Sequence, residues 1–399
     1  GGGNAVRLIA LLPCLIGAWK HRAGGLLLST SGYAAPYKNN DALERPDLLG
    51  DRTPRMVNMS AIGDALLRAD PPIEALVVYN SNPAAVAPEN GQVVRGLQRP
   101  DLFTVVVEQF MTDTADLADY VLPATTQMEH LDVHTSYGHT DVLINEPAIA
   151  PLGQAKPNTQ IFRELAAAMG FGAEAWAQED DETLARQAFF APPEASLRAA
   201  SPQGAGQAWE RPGASPGIDF EQLRAKGFVP LPLPDAPFAE GGWPTPHGKV
   251  WADHPDIGLP DFVPNLESAE TAPALATRYP LAMISPPARN FLNSSFVNVQ
   301  SLRDIEREPV LEMHAADAAA RGLSDGAWAR VFNARGEQRL RVALNGRARP
   351  GVVNGLGVWW RKFGVDGKNV NELTHQGLTD LGGGASFYDC LVEVEAVSA

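Results

Sequence analysis

Phe103-Thr-Val-Val-Val-Glu-Gln-Phe-Met-Thr-Asp-Thr-Ala-Asp-Leu-Ala-Asp-Tyr-Val-Leu-Pro123 is the stretch that decides the fold class. It opens with a strand-length run of β-branched and aromatic residues, turns through polar side chains, fits a short helix from Thr114 to Ala118, and reads as a strand again from Asp119 to Pro123. Upstream, Ala75-Leu-Val-Val-Tyr79 is an equally apolar run. It ends in the turn formers Asn80-Ser-Asn-Pro83, and helical spacing follows through Val93, Val94 and Leu97. Continuous apolar strands alternating with helices imply βαβ units and a parallel sheet covered on both faces.

Working outward toward the N-terminus, Met59 to Asp70 fits an amphipathic helix through Ile62, Leu66 and Leu67. Residues 29–55 are turn-rich and read as loop. Asn4 to Trp19 reads as a buried helix with Asn4 as N-cap and Gly24-Gly25 as its stop. Toward the C-terminus, Asn158 caps a helix through Ile161, Leu165 and Met169, closed by Gly170. Asp181 to Gly227 is helical and polar, and six prolines between 230 and 246 mark a linker. Past Pro280 the texture changes: 281–284, 327–332, 338–344, 352–359 and 390–397 read as strands, with one helix from Ala315 to Arg321. That is a mostly β domain, a barrel.

Composition narrows the function classes. The chain has 399 residues and carries 32 Lys and Arg against 47 Asp and Glu, a net charge of -15, which excludes the basic footprint of sequence-independent nucleic-acid binding. Glycine (37) and proline (33) make up about 18% of the chain, against about 12% ordinarily, and imply many turns between short elements. The two cysteines, Cys14 and Cys390, lie at opposite ends, which excludes a disulfide scaffold, a zinc ribbon and a cysteine-ligated iron–sulfur cluster within the chain. The apolar run from Leu8 to Trp19 is too short to span a bilayer and is interrupted by Pro13.

Four polar constellations are candidates for chemistry. The first gathers at the carboxyl ends of the parallel strands, where α/β sheets bind ligands: Asn80-Ser-Asn-Pro83, Glu108 to Thr114, and Pro123-Ala-Thr-Thr126. The threonine hydroxyls suit phosphate, and Glu108 suits ribose hydroxyls. The second, Glu129-His130-x3-His134-x4-His139-x-Asp141, holds three of the eight histidines within ten residues. The residues between them suit a loop or strand better than a helix, so a polar ligand-lining loop is the favoured reading. A zinc-dependent hydrolase built on His130, His134 and His139 is the alternative. The third is Ser285-Pro-Pro-Ala-Arg-Asn-Phe-Leu-Asn-Ser-Ser-Phe296, where Arg289 offers a planar fork of donors. The fourth joins Asn369-Val-Asn-Glu-Leu-Thr374 to Asp380-Leu-Gly-Gly-Gly-Ala-Ser-Phe-Tyr388.

In this order, the four segments resemble the molybdopterin oxidoreductases of the DMSO reductase family, which includes formate dehydrogenases and dissimilatory nitrate reductases. Val106 to Pro123 followed by Glu129-His130 resembles the family's Thr-x-Thr-Ala, Ala-Asp-x-x-Leu-Pro pattern, and Asn80-Ser-Asn-Pro83 its Gly-x-Asn-Pro turn. Thr245-Pro-His-Gly-Lys249 and His314-Ala-Ala-Asp-Ala-x3-Gly-Leu-x-Asp-Gly326 resemble the segments that precede and open its last domain. The resemblance implies a partial parallel-sheet α/β domain followed by a C-terminal double-psi β-barrel-like domain. The expected partition is a remnant of an upstream α/β domain at 1–55, the α/β oxidoreductase domain at 56–229, a proline-rich crossover at 230–278 and the dinucleotide-binding barrel at 279–399.

It further implies bis-molybdopterin guanine dinucleotide carrying molybdenum or tungsten, and a two-electron redox reaction on a small substrate. Asn80, Asn82 and Pro83 would line the dinucleotide, with Glu108, Thr112 and Asp119 close by. Ser285, Arg289, Asn290, Asn293 and Ser294 would approach the pterin, and Asn371, Phe387 and Tyr388 would close the barrel side. Family members are about twice as long, and Gly1 to Gly25 resembles the end of their middle domain. The chain therefore reads as a C-terminal half, inactive alone, whose partner is an N-terminal half or split subunit carrying the metal's ligand and any iron–sulfur cluster. An iron–sulfur electron-transfer subunit is a further expected partner, and a non-catalytic pterin-binding subunit is a weaker alternative. The expected compartment is the cytoplasm, with the periplasm left open.

Overall fold

In a computed structural model, which describes residues 1–34, 37–190, 218–233, 235–243 and 245–397, the two apolar runs are strands β1 (Ala75–Tyr79) and β2 (Phe103–Glu108). They pair in parallel, with Ala75 opposite Phe103 and Tyr79 opposite Val107, and β3 (Tyr120–Pro123) lies on the far side of β2. Parallel neighbours need a crossover, and helices Pro83–Val86 and Asn90–Leu97 supply it. The pleat sends alternate side chains to opposite faces. Val78 and Val106 point inward with Ala115, while Val77, Tyr79, Phe103 and Tyr120 are exposed. Cover on the second face is partial: Val107 is buried there, while Val77, Tyr79 and Phe103 are exposed. The expected helix from Met59 is a 3-10 turn, Met59–Ala61, running into an α-helix, Ile62–Arg68.

The chain forms two compact units interleaved in sequence. Gly1–Asn4, Met56–Leu122 and Asp261–Ala399 make one; Ala5–Arg55 and Pro123–Pro260 make the other. The second unit centres on an antiparallel sheet of β4 (Asp132–His134), β5 (Asp141–Asn145) and β6 (Phe228–Pro230), with β5 in the middle. Val142 is fully buried there, in a cluster with Ala34, Tyr37, Phe189 and Leu223. The described residues of 29–55, expected as loop, include the short helices Ser31–Ala34, Asn40–Glu44 and Pro46–Leu49. Each is about one turn long, too short for a hydrophobic period, and they start on local chemistry: the Asn39 side chain accepts the Ala42 N–H, and Pro46 opens the third.

The helix near residue 158 spans Asn158–Ala166, its N-cap being Pro157 rather than Asn158, and continues as a π turn to Phe171 through Gly170 at φ 92°. The first helix runs Gly2–Leu15. Asn4 is thus inside it and not its cap. Leu8, Ile9, Leu12 and Leu15 are exposed, so the expected buried helix is a surface one, and it ends before Gly24-Gly25. The polar stretch expected to be helical is so at Asp181–Phe190 and Phe220–Lys226; its residues 191–217 lie outside the described ones, as do Pro234 and Pro244 of the proline-rich segment. Among the described residues, no helix is long and apolar enough to cross a membrane.

The C-terminal part of the first unit is a closed six-stranded barrel. Its strands are β7 (Leu281–Ile284), β8 (Val310–Met313), β9 (Trp328–Phe332), β10 (Glu337–Ala343), β11 (Val352–Gly355) and, after a small hairpin of β12 (His375–Leu378) and β13 (Ala385–Ser386), β14 (Cys390–Ala396). The order around it is β10-β8-β11-β7-β14-β9. β10 with β8 and β11 with β7 are parallel, and the remaining pairs are antiparallel. Inward positions of all six strands, among them Met283, Leu311, Val331, Leu340, Val353 and Val392, fill its core. The strand expected through Trp359 stops at Gly355, because Trp359 and Trp360 turn into a separate cluster with Ala85, Ala288 and Phe291. β8 has no strand-like alternation, since Glu312 sits buried in it, held by Asn345 and Asn354.

Gly96 shows how tightly the crossover packs. A Cβ there would lie 2.6 Å from the Leu66 Cβ. An exposed helical glycine gains about 1 kcal/mol on replacement by alanine, but forcing a methyl into a packed contact costs about 1–3 kcal/mol. Gly96→Ala should therefore lower the denaturation midpoint, and a stabilised variant would show that the two helices separate at no cost.

Candidate functional site

Because β1 and β2 run the same way, their carboxyl ends bring Asn80–Pro83 and Glu108–Thr114 to one edge of the sheet. Asn80 is exposed and left-handed at φ 53°, a conformation asparagine tolerates better than most residues. Asn82 is buried, and its Oδ1 accepts both the Thr114 N–H (3.2 Å) and the Thr114 hydroxyl (2.7 Å). Two donors on the oxygen fix the way the amide faces, and they leave its Nδ2 buried without a partner among the described residues. Pro83 is buried at the first position of its helix. Glu108 is half-buried at the end of β2, where it accepts the Gln109 N–H at 2.6 Å. Thr112 and Asp119 accept backbone N–H groups of Ala115 (3.2 Å) and Thr104 (2.6 Å), so both serve the turn and sheet around the edge.

Asp113 lies between the two threonines and had no role in the sequence reading. Its buried carboxylate accepts the N–H of Arg361 (2.6 Å) and of Lys362 (3.1 Å), from the segment that leaves the barrel after β11. Burial pushes its pKa above the usual aspartate value, and the two backbone donors oppose the rise. The Arg361 guanidinium donates to Asn90 Oδ1 at 2.8 Å and pairs with the buried Glu372 carboxylate. Asn369 and Asn371 each donate an amide hydrogen to the Ala85 carbonyl, at 3.0 and 2.9 Å. This polar seam joins the strand-end turns to the barrel. Its one sequence-level signal was Trp359-Trp360-Arg361-Lys362, a run of aromatics and cations dense enough to mark a packed junction.

On the barrel side, the Ser285 hydroxyl donates to the Phe387 carbonyl at 2.7 Å, which brings two of the predicted residues together. Tyr388, the next residue, is exposed. Arg289 is exposed and has no ion-pair partner among the described residues. Asn290 is held to the fold, its N–H and Nδ2 both donating to Glu306 (2.8 and 2.7 Å). Asn293 is exposed at φ 51°, and the Ser294 carbonyl accepts the Trp360 indole N–H at 2.8 Å.

The histidine constellation lies in the second unit and is spread along the β4–β5 hairpin. His130 bonds the Thr125 hydroxyl through Nδ1 (2.9 Å), His134 ends β4, and His139 Nδ1 accepts the Asp141 N–H (3.2 Å). Among the described residues, no group of three or more His, Cys, Asp or Glu comes together to hold a metal, so the zinc-hydrolase alternative lacks its site. Glu129 clamps a loop instead, accepting the Thr126 N–H and hydroxyl and the Leu152 N–H, bonds that hold its pKa below the usual glutamate value. Burial pushes the Cys390 thiol up to about 12, which rules out a thiolate there at neutral pH.

Comparison with known proteins agrees with this arrangement of segments. Residues 37–168 match the family "Molybdopterin oxidoreductase", and residues 281–391 match the family "Molydopterin dinucleotide binding domain". The chain is 39% identical over 402 residues to "Probable oxidoreductase YoaE" of Bacillus subtilis (strain 168), covering 99% of this chain and 55% of that protein. It is 25% identical to dimethyl sulfoxide reductase DmsA of Escherichia coli (strain K12), covering 99% of this chain and 52% of that one. The chain thus spans about half the length of these relatives. Its fold matches the structure of acetylene hydratase from Pelobacter acetylenicus with a TM-score of 0.67 at 23% identity, over 93% of this chain and 51% of that chain. The chain belongs to the molybdopterin oxidoreductases of the DMSO reductase family.

Proposed function

We propose that the chain forms the dinucleotide-holding part of an oxidoreductase that carries molybdenum or tungsten on bis-molybdopterin guanine dinucleotide and turns over a small substrate by two electrons. The observation that carries the reading is Asn82: a buried amide whose oxygen is engaged twice and whose N–H donors have no partner among the described residues. A buried donor without an acceptor costs about 1–3 kcal/mol, and a nucleotide oxygen at this edge would remove that cost. The residues present therefore fit the group. When bound, it supplies the two-electron chemistry at its metal.

The chain's own residues bind and orient. Asn82 donates at the strand edge, Asn80 and Glu108 flank it with an amide and a carboxylate, and Pro83, Thr112 and Asp119 fix the backbone that presents them. Ser285, Arg289, Asn290, Asn293, Ser294, Asn371, Phe387 and Tyr388 form the barrel-side approach to the pterin. We keep 1–55, 56–229, 230–278 and 279–399 as the partition in sequence order. The metal's side-chain ligand, any iron–sulfur cluster and an electron-transfer partner belong, in this reading, to the part of the relatives' length that this chain does not span, and the chain alone reduces no artificial electron acceptor.

Titration of the full chain with GDP, using ADP as control, tests the strand edge. GDP should bind more tightly than ADP, and Asn82→Ala should weaken GDP binding about tenfold, the value of one hydrogen bond to a charged group. Equal affinity of parent and variant would remove the reading. On the barrel side, Arg289→Leu should reduce the pterin content of the purified chain. Its stability should change by no more than about 0.5 kcal/mol, as expected of an exposed side chain with no ion-pair partner among the described residues. A large loss of stability with full pterin content would make Arg289 a residue of the fold.

A further inference from the structure

His375 and Asp389 close the small hairpin beside the barrel and have no part in the binding roles assigned above. His375 Nε2 lies 2.7 Å from Asp389 Oδ1, and both side chains are only 9% exposed. The Ser386 hydroxyl donates to the same carboxylate oxygen at 2.6 Å, and Oδ2 accepts the Leu266 N–H at 3.2 Å. His375 Nδ1 accepts the Gly377 N–H at 3.0 Å, so the neutral ring carries its hydrogen on Nε2 and gives it to Asp389. His375 also stands opposite Ser386 in the β12–β13 pairing. The couple thus grips both ends of the turn that contains Phe387 and Tyr388.

That turn decides what Ser285 can offer. A serine hydroxyl has one hydrogen, and the Phe387 carbonyl takes it at 2.7 Å. Ser285 is 7% exposed, and only its lone pairs remain for a ligand. Lone pairs match the N–H groups of an amino-substituted heterocycle and do not match phosphate or carboxylate oxygens. We propose that His375 and Asp389 are a positioning couple that holds the Ser386–Tyr388 turn, committing the Ser285 hydrogen to Phe387 and leaving Ser285 as an acceptor for a heterocycle N–H. The ligand half of this rests on the reading of the barrel side as a pterin site.

The charged groups acting on His375 are Asp389, Glu267 and Arg335. Arg335 binds Glu267 through two bonds of 2.5 and 3.0 Å, which leaves Asp389 as the partner of His375. The bond to Asp389 raises the His375 pKa above its usual 6.5 despite burial. Protonation forfeits the Gly377 bond, but the buried carboxylate outweighs one neutral hydrogen bond. Burial alone would raise Asp389, yet the bonds from His375 and Ser386 bring it below its usual 3.8. The charged couple therefore contributes fully between the usual aspartate and usual histidine values. It fades as pH rises and His375 loses its proton, and again as strong acid protonates Asp389.

Two measurements on the full chain separate the couple from the ligand. Amide hydrogen exchange of the 385–389 segment, expressed as protection over an unstructured peptide, should fall about tenfold between about pH 5.5 and about pH 8.5. His375→Gln should show no such fall, and Asp389→Asn should be poorly protected at both pH values. The same pH course in parent and His375→Gln would overturn the couple, with the unchanged protection of the β10 amides in both proteins showing that they are folded. Pterin content, read from the fluorescence of the oxidised pterin released on denaturation, should drop in Ser285→Ala and, at the higher pH, in the parent. Full pterin in Ser285→Ala would overturn the acceptor role. A parent without pterin that keeps the exchange profile would remove the ligand reading and leave the couple standing.

Discussion

Asp113 accepts two consecutive backbone N–H groups, Arg361 and Lys362, from 248 and 249 residues further along the chain. Everything at the sheet edge is fixed relative to the barrel through that carboxylate and its neighbours. Asp113 is flanked by Thr112, which caps its own turn, and by Thr114, which holds Asn82. The turn after β1 is thus tied to the turn after β2, and the second is tied to the segment leaving β11. A buried carboxylate is tolerated only where donors are already aimed at it, and here the donors are main-chain groups that cannot swing away as side chains do.

The seam around Asp113 relies on amides and carboxylates more than on apolar area. Asn90, Asn369, Asn371, Arg361 and Glu372 all meet carbonyls or one another there. Beside them, Trp359, Trp360, Phe291, Ala288 and Ala85 form an apolar cluster that excludes water. The apolar part adds stability without direction. The hydrogen bonds add little net stability but fix direction, because each one misplaced would leave a buried group unsatisfied. A Cβ at Gly91 or at Gly336 would lie 2.7 or 3.1 Å from Glu372 Oε2, so glycine at both positions keeps clear the space in which that carboxylate meets Arg361.

The sequence was legible where structure is local and periodic. β1 and β2 follow from runs rich in β-branched residues, β7, β9, β10 and β14 from apolar or alternating runs of strand length, and the strand-end turns from Asn, Pro and Thr. The zinc alternative was also a local reading, and it failed because a hairpin spreads residues that a helix would have gathered on one face. The one-turn helices between 31 and 49 escaped because a single turn has no period, and β8 because its buried Glu312 breaks the apolar pattern. The first helix was misjudged as buried because an apolar run says nothing of what covers it. Asp113, Arg361 and Glu372 could not be paired from the sequence: Trp359-Trp360-Arg361-Lys362 marks a packed junction but not the distant residue it meets.

The two ends of the candidate site present opposite hydrogen-bonding character. At the sheet edge Asn82 offers unmatched N–H donors, while on the barrel side Ser285 has given up its hydrogen and offers acceptors. In the reading proposed above, a ligand rich in oxygen at one end and in ring and amino N–H groups at the other, as a pterin dinucleotide is, would complement both ends. Both ends belong to one compact unit whose parts are joined by the Asp113 seam. A ligand that engages both ends would bind the folded unit and not the unfolded chain, and so would stabilise the seam in proportion to the logarithm of its concentration. The seam in turn holds the two ends at a fixed spacing before the ligand arrives, so that binding need not also bear the entropy of assembling its own site.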